Sequence, residues 1–207
     1  FSLEMPREQL MHRIFCAEGQ IDATHLARGE LDEVEWERLV KVADRMMKTH
    51  LYFDDTSSTT VMDIRSRARR LKAEHGLDLI AIDYLQLIQA PGRVENRTLA
   101  VAEMTRSLKI LARELNVPIV VLSQLSRATE GRSDKRPMLS DLRESGSIEQ
   151  DADIVMFLYR EDYYNQDTEN ANITELSIAK HRNGATDTIK MYFQKEYTRF
   201  RDLAREP

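Results

Sequence analysis

The stretch Leu77-Asp78-Leu79-Ile80-Ala81-Ile82-Asp83-Tyr84 is a near-continuous apolar run that ends on a carboxylate. A strand that is apolar on both faces is typical of a parallel sheet covered by helices. In open α/β sheets, ligands bind beyond the carboxyl ends of such strands. The run therefore predicts a buried parallel strand, with Asp83 at the edge of the sheet where a ligand would bind.

Asp83 also fits a more specific pattern. An apolar run followed by Asp is found in the Walker B strand of nucleotide-hydrolysing motors, whose Asp holds the water shell of Mg²⁺ bound to ATP. The pattern alone is weak, because an ordinary turn residue follows many apolar strands in the same way. Many Walker B strands carry the catalytic Glu directly after the Asp, but here that position is Tyr84. The base would have to come from elsewhere.

Composition limits the possible classes of protein. The 207 residues, 42% of them hydrophobic, are predicted to form one domain, residues 1–207. No apolar run approaches the roughly 20 residues that cross a bilayer, and the amino end lacks a signal-peptide pattern. The single cysteine, Cys16, is expected to be a small core residue and suits a reducing cytoplasm. The net charge of -5 requires that any DNA contact be made by a local segment.

Two capping patterns mark helices in the first half of the chain. Asp32 with Glu35 begins a helix that runs to about His50, and Thr60 with Asp63 begins one that Gly76 ends. The first helix has an apolar stripe that is predicted to face the core: Trp36, Val40, Ala43 and Met47. The second has a basic row that is predicted to face solvent: Arg65, Arg69 and Lys72. Residues 51–53 between them are expected to form a short strand.

The second half alternates helix and strand signals before it becomes β-rich. A long helix is predicted over 95–115, and buried strands over 118–122 and 153–159. Runs rich in β-formers at 174–180 and 186–194 flank Asn183-Gly184, a dipeptide typical of hairpins. The chain is therefore assigned to the α/β class, with a mostly parallel sheet flanked by helices and an antiparallel β-hairpin edge at the carboxy end.

Polar side chains follow three of the apolar runs: Glu4 after Phe1-Ser2-Leu3, Asp83, and Gln124 after the strand at 118–122. ATP hydrolysis needs a metal ligand, a carboxylate that activates water and a polar group near the γ-phosphate, all around one site. Glu4 on an adjacent strand end could supply the base that Tyr84 cannot. Its alternative role is a first-turn carboxylate that complements a helix dipole.

Several segments together resemble the carboxy-terminal motor domain of the DnaB-type bacterial replicative DNA helicases, which has the RecA-like fold. They occur in the family's order and span almost the whole chain: Ser2-Leu3-Glu4-Met5, Asp83-Tyr84-Leu85-Gln86-Leu87-Ile88, Leu122-Ser123-Gln124-Leu125-Ser126-Arg127, the run from Ser140 to Asp153, and Lys180-His181-Arg182-Asn183-Gly184. Several matches in order are far more specific than any one of them.

The resemblance implies a role for each matching residue. Glu4 would be the catalytic base, Asp83 the carboxylate associated with Mg²⁺, and Gln124 the sensor of the γ-phosphate. Lys180 and Arg182 would reach the ATP of a neighbouring subunit. The implied protein is a cytoplasmic homo-hexamer that uses ATP and Mg²⁺ to move 5′ to 3′ on single-stranded DNA, with primase and a helicase loader as partners.

The predicted DNA contact lies within residues 125–150, which contain five cations but no aromatic residue. Stacking on bases is therefore not expected, and the contact would be made to phosphates. By resemblance, Arg143, Glu144 and Gly146 are the contacting positions, the latter two through main-chain amides. A mixed-charge surface loop is the alternative. The carboxylates Glu149, Asp151 and Asp153 are interpreted as polar residues before a buried strand rather than a metal site.

One departure from the family pattern is serious. The phosphate-binding loop, G-x-x-x-x-G-K-[ST], is absent from these 207 residues. In the family it lies upstream of the Ser-Leu-Glu-Met segment, so the chain is interpreted as lacking the amino-terminal part of the motor domain. Two alternatives stay open: a RecA-like recombination or clock-type ATPase, and a non-catalytic ring or loader-binding module.

Overall fold

The computed structural model describes residues 1–90, 96–142 and 146–203. Within these ranges the helices are α1 (Arg7–Gly19), α2 (Ala23–Arg28), α3 (Glu33–Met47), α4 (Val61–His75), α5 (Arg97–Leu115) and α6 (Gly146–Asp151). The strands are β1 (Ile80–Ile82), β2 (Ile119–Val121), β3 (Ile154–Arg160), β4 (Ile173–His181), β5 (Asp187–Gln194) and β6 (Arg199–Asp202). None of the helices in the described part of the chain is both long and apolar enough to cross a membrane.

The strands form a parallel pair and a four-stranded sheet. β1 pairs in parallel with β2, and Ile82 lies opposite Val121. The larger sheet has the order β3-β4-β5-β6, and β5 and β6 are antiparallel. The predicted α/β class, with a parallel part and an antiparallel part at the carboxy end, is confirmed.

The chain divides into two compact units. The first contains residues 1–4, 54–157 and 178–186. Its core is formed where α4 and α5 cover one side of β1, with Ile64, Ile82, Val101 and Leu111 almost completely buried. The other side of the parallel pair is open, because Leu79, Val120 and Leu122 are 54%, 44% and 48% exposed. The prediction of a strand buried on both faces is therefore wrong for β1 in the described part of the chain.

The second unit contains residues 5–53, 158–177 and 187–207, of which those to 203 are described. Both Asp32 and Glu35 form the predicted capping box of α3, and Cys16 is buried as expected. The predicted apolar stripe of α3 faces solvent instead: Trp36, Val40 and Met47 are exposed. The helix buries the neighbouring face, with Val42 and the Glu35 carboxylate, so the prediction of a core stripe is wrong.

Two further predictions are corrected by contacts that are distant in sequence. The basic row on α4 does not simply face solvent, because Arg65 and Arg69 pair with Glu114 near the end of α5 and Lys72 donates to the Leu115 carbonyl. Residues 51–53 are not a strand. Directly after them, the Asp54 carbonyl accepts the Ser2 amide (2.9 Å).

Candidate active site and nucleic-acid segment

The amino end of the chain lies beside the end of β1 and runs parallel to it. Ser2 and Asp83 form a parallel bridge. The Asp83 amide donates to the Phe1 carbonyl (2.9 Å), and the Leu3 amide donates to the Asp83 carbonyl (2.7 Å). Glu4 follows this extended segment directly. It therefore lies at the edge of the sheet at which β1 ends and Asp83 is found.

On the other side of β1, the residues that follow β2 continue to run parallel to the chain that follows β1. The Leu122 amide donates to the Ile82 carbonyl (2.9 Å), and the Leu85 amide donates to the Leu122 carbonyl (2.9 Å). Gln124 therefore follows a third parallel segment, which consists of β2 and its continuation. It lies at the same edge of the sheet as Glu4 and Asp83. The three residues that the sequence singled out at strand ends are brought to one edge, with Asp83 in the middle.

Gln86 holds Gln124 in place, a role that the sequence reasoning missed. The Gln86 side-chain carbonyl accepts the Gln124 amide (3.2 Å), and its NH₂ group donates to the Ser123 hydroxyl (3.0 Å). Gln86 lies in a segment that resembles the helicases, but nothing in its spacing separates a supporting residue from its neighbours. Only the register of β1 and β2 places it beside Gln124.

The functional groups at this edge are available for a ligand. Glu4 and Gln124 are exposed and Asp83 is half-buried. None of the hydrogen bonds and ion pairs found among residues 1–90, 96–142 and 146–203 engages the Glu4 or Asp83 carboxylates. No group of three metal-ligating side chains occurs in those ranges. A lone carboxylate suits Mg²⁺, which commonly takes one or two carboxylates and completes its shell with water and substrate phosphates.

Lys180 and Arg182 lie on one side of the chain at the end of β4, as their spacing of two predicts. Lys180 donates to the carbonyls of Glu149 and Ala152 (2.8 Å for the latter) at the carboxyl end of α6. Arg182 donates to the Gln150 carbonyl (3.0 Å). Both cations therefore contact the carboxyl end of α6 in their own chain.

Asp153 completes this cluster. Its carboxylate lies 3.6 Å from the Arg182 guanidinium and pairs with Lys109 of α5. The hydrogen bond from Lys109, reinforced by the charges of Lys109 and Arg182, holds the pKa of Asp153 below its usual range. The interpretation of Asp153 as a simple polar residue before a strand is thus incomplete.

The predicted DNA segment is only partly visible. Arg143 and Glu144 lie outside the described residues, whereas Gly146 is the first residue of α6. Among the other cations, Arg132 is taken up by a two-point pair with the buried Asp141 carboxylate (3.0 and 2.7 Å). Arg132 therefore supports the loop and is a poor candidate for a phosphate contact.

Comparison with known proteins gives one consistent result. Residues 1–202 match the family model of the DnaB-like helicase C-terminal domain. The replicative DNA helicase DnaB of Geobacillus stearothermophilus is 57% identical over 206 residues, which are 99% of this chain and 45% of that protein. The replicative DNA helicase DnaC of Bacillus subtilis is 55% identical, again over 99% of this chain and 45% of the relative. The chain thus spans a little under half the length of these curated relatives.

Solved structures agree. One is a DnaB-like replicative helicase, reported with its interactions with primase, which superposes with a TM-score of 0.94 at 42% identity over 98% of this chain and 49% of its own. Another is an ATPase domain, which superposes with a TM-score of 0.93 at 42% identity over 98% of this chain and 73% of its own.

Proposed function

The chain belongs to the DnaB-like helicase C-terminal domain family, and on this premise we propose that it is the larger part of the ATP-driven motor domain of a replicative DNA helicase. The two compact units would work as one motor domain, residues 1–207, completed by the phosphate-binding loop. Family membership favours this function over a recombination or clock-type ATPase. The Glu4 and Asp83 carboxylates, which no described side chain engages, favour it over a non-catalytic ring module.

One observation carries the proposal: three parallel segments, namely residues 1–3, β1 and β2, end at the same edge of the sheet. Glu4 would accept the proton of the attacking water, and the Gln124 amide would contact the γ-phosphate. Asp83 would hold the water shell of Mg²⁺. When bound, ATP would supply the bond between its β- and γ-phosphates that is broken. Mg²⁺ would supply the positive charge that polarises these phosphates.

The remaining assignments concern the whole protein. Arg143, Glu144 and Gly146 would contact phosphates of single-stranded DNA, and Lys180 and Arg182 would act on the ATP of the next subunit in a homo-hexamer. Translocation would run 5′ to 3′ with duplex unwinding. Primase and a helicase loader would be partners, and the protein would act in the cytoplasm, where bacterial chromosomes are replicated.

The first test changes the proposed base in a full-length protein that carries this sequence. Glu4→Gln removes a proton acceptor but keeps the size of the side chain, so we expect unchanged ATP affinity and a loss of roughly 10² to 10⁴ in turnover. Steady-state ATPase and equilibrium nucleotide binding are measured side by side.

Glu8→Gln is the matched control, because Glu8 is an exposed carboxylate in the first turn of α1. It should leave turnover near the wild-type value. If Glu4→Gln retains wild-type turnover, Glu4 is only a carboxylate that complements the dipole of α1, and the proposed catalytic edge is wrong.

A further inference from the structure

Arg182 is held by one short segment, residues 150–153, at three points. Its main-chain amide donates to the Asp153 carbonyl (2.8 Å). Its guanidinium donates to the Gln150 carbonyl (3.0 Å) and lies 3.6 Å from the Asp153 carboxylate. Because the Arg182 side chain keeps 42% of its surface exposed, it can still meet a group that approaches from outside the chain.

Asp153 is itself anchored to the long helix α5. Lys109 of α5 pairs with its carboxylate and is only 21% exposed. Lys109 is flanked on α5 by Leu108 and Leu111, which are buried in the core of the first unit. A continuous chain of contacts therefore runs from the α5 core through Lys109 and Asp153 to the Arg182 side chain.

We propose that Asp153 is a positioning residue, whose carboxylate aims the Arg182 guanidinium toward the nucleotide of the adjacent subunit. This rests on the proposed function of Arg182. Lys180 differs from Arg182 in this respect. Its ammonium is surrounded by carbonyls at the end of α6. The Arg182 guanidinium lies 3.6 Å from the Asp153 carboxylate, on which Arg113 acts only through its charge.

The size of the effect of a substitution on turnover and on unfolding separates a positioning role of Asp153 from a structural one. An exposed ion pair contributes little to stability, and the Asp153 carboxylate is 54% exposed. In contrast, misplacing a catalytic group by about 1 Å can reduce a rate by roughly 10². A positioning role therefore predicts a large effect on turnover with almost none on unfolding, whereas a purely structural role predicts only small effects on both.

The test uses full-length hexamers. Asp153→Asn should lower kcat at least about tenfold while ATP affinity, DNA affinity and thermal unfolding stay near wild-type, and Asp153→Glu should restore part of the loss. Asp151→Asn is the control, because the Asp151 carboxylate accepts the Thr105 hydroxyl (2.5 Å) instead. If Asp153→Asn rings fail to assemble, Lys109→Met, which releases Asp153 from α5, should lower kcat in the same direction.

Mixed rings show whether Asp153 acts through Arg182. Asp153→Asn subunits mixed with Glu4→Gln subunits should recover turnover, since an intact Asp153 and Arg182 then face an intact Glu4 at some interfaces. Mixed with Arg182→Ala subunits they should recover none, because both changes affect the same side of the interface.

The outcomes separate this proposal from the proposed function. If Arg182→Ala abolishes turnover but Asp153→Asn is fully active, or complements Arg182→Ala, the positioning role is wrong and the function of Arg182 stands. If Arg182→Ala is as active as the wild type, both are wrong.

Discussion

At Asp162, one buried carboxylate gathers partners from three parts of the second unit. It pairs with Arg160 (3.1 Å) and Lys195 (2.7 Å) and accepts the Asn172 amide (3.1 Å). Arg160 in turn lies 4.4 Å from the centre of the Phe193 ring. The hydrogen bond from Arg160 is the main reason that the pKa of Asp162 lies far below its usual range. The ionised form therefore joins the last residue of β3, the residue before β4 and the residue after β5.

The sign of the resulting pH dependence follows from the depressed pKa. Stabilisation by Asp162 is present above the pKa of about 3.9 of an unfolded Asp and is lost as the pH falls below it. We expect Asp162→Asn to cost about 1.5–3 kcal/mol at pH 7, and the difference from wild type to shrink toward pH 3. Urea unfolding followed by circular dichroism checks this, with the exposed Asp167→Asn as control. A difference that is constant with pH would contradict it.

Arg143 carries the prediction for DNA. Because the contact is proposed to be made to phosphate, Arg143→Ala in the full-length protein should weaken binding of all single-stranded sequences about equally. It should also reduce the slope of log affinity against log salt by about 0.7. Fluorescence anisotropy with several oligonucleotides at four salt concentrations measures both quantities. Arg70→Ala on the exposed side of α4 is the matched control. A loss confined to some sequences would show base contact instead.

At the scale of elements, contacts between residues that are close in sequence were predicted well, and contacts between distant residues were not. The capping boxes at Asp32 and Thr60 were found because their partners lie three residues away. The apolar stripe of α3 shows the limit: periodicity finds an apolar face, but whether another element packs on it depends on the rest of the chain. Likewise, the pairing of Arg69 with Glu114, 45 positions away, has no local signal.

The same reasoning applies to the candidate site. The strand ends that carry Glu4, Asp83 and Gln124 could be predicted because parallel strands expose their carboxyl ends at one edge. The contacts of Gln86 with Gln124 and of Asp153 with Arg182 could not be predicted. They depend on the register of the strands and on how α6 packs against β4. Resemblance supplied roles for Lys180 and Arg182, but not their contacts within the same chain.

α6 depends on its neighbours for order. A six-residue helix is not stable by itself. Its carboxyl end receives the Lys180 ammonium, where a cation complements the helix dipole. Its first residue, Gly146, is a proposed DNA contact. A single short element therefore connects the proposed DNA segment to the cations proposed to act on ATP.

Removing the Lys180 ammonium should loosen α6. Lys180→Met keeps the length of the side chain but loses hydrogen bonds worth roughly 1.5–3 kcal/mol. We therefore expect amide hydrogen exchange within residues 146–153 to accelerate about tenfold or more, with little change in the α5 core. Mass spectrometry of peptic fragments measures this. Lys190→Met on the exposed part of β5 serves as control. Unchanged exchange in α6 would show that other contacts order it.

At the scale of the whole molecule, the proposed function needs a phosphate-binding loop as well as the edge that carries Glu4, Asp83 and Gln124. On the proposed function, the edge with Glu4, Asp83 and Gln124 would offer a base, a metal-associated carboxylate and a polar sensor, whereas the sequence contains no G-x-x-x-x-G-K-[ST] loop to hold phosphates. One face of β1 and β2 is also open, with Leu79, Val120 and Leu122 exposed. Parallel sheets are usually covered on both faces.

We therefore expect the 207-residue chain alone to hydrolyse no ATP above a blank. Phosphoryl transfer depends almost entirely on positioning and on electrostatic stabilisation of the phosphates, so the three side chains proposed for the site should achieve neither without a phosphate-binding loop. Steady-state ATPase is measured on material whose mass is verified to be these residues only, with circular dichroism as a check on folding. A chain extended upstream by a phosphate-binding loop of the type G-x-x-x-x-G-K-[ST] should hydrolyse ATP, and Glu4→Gln should abolish that turnover. Turnover by the 207 residues alone that survives Glu4→Gln would show that the site lies elsewhere.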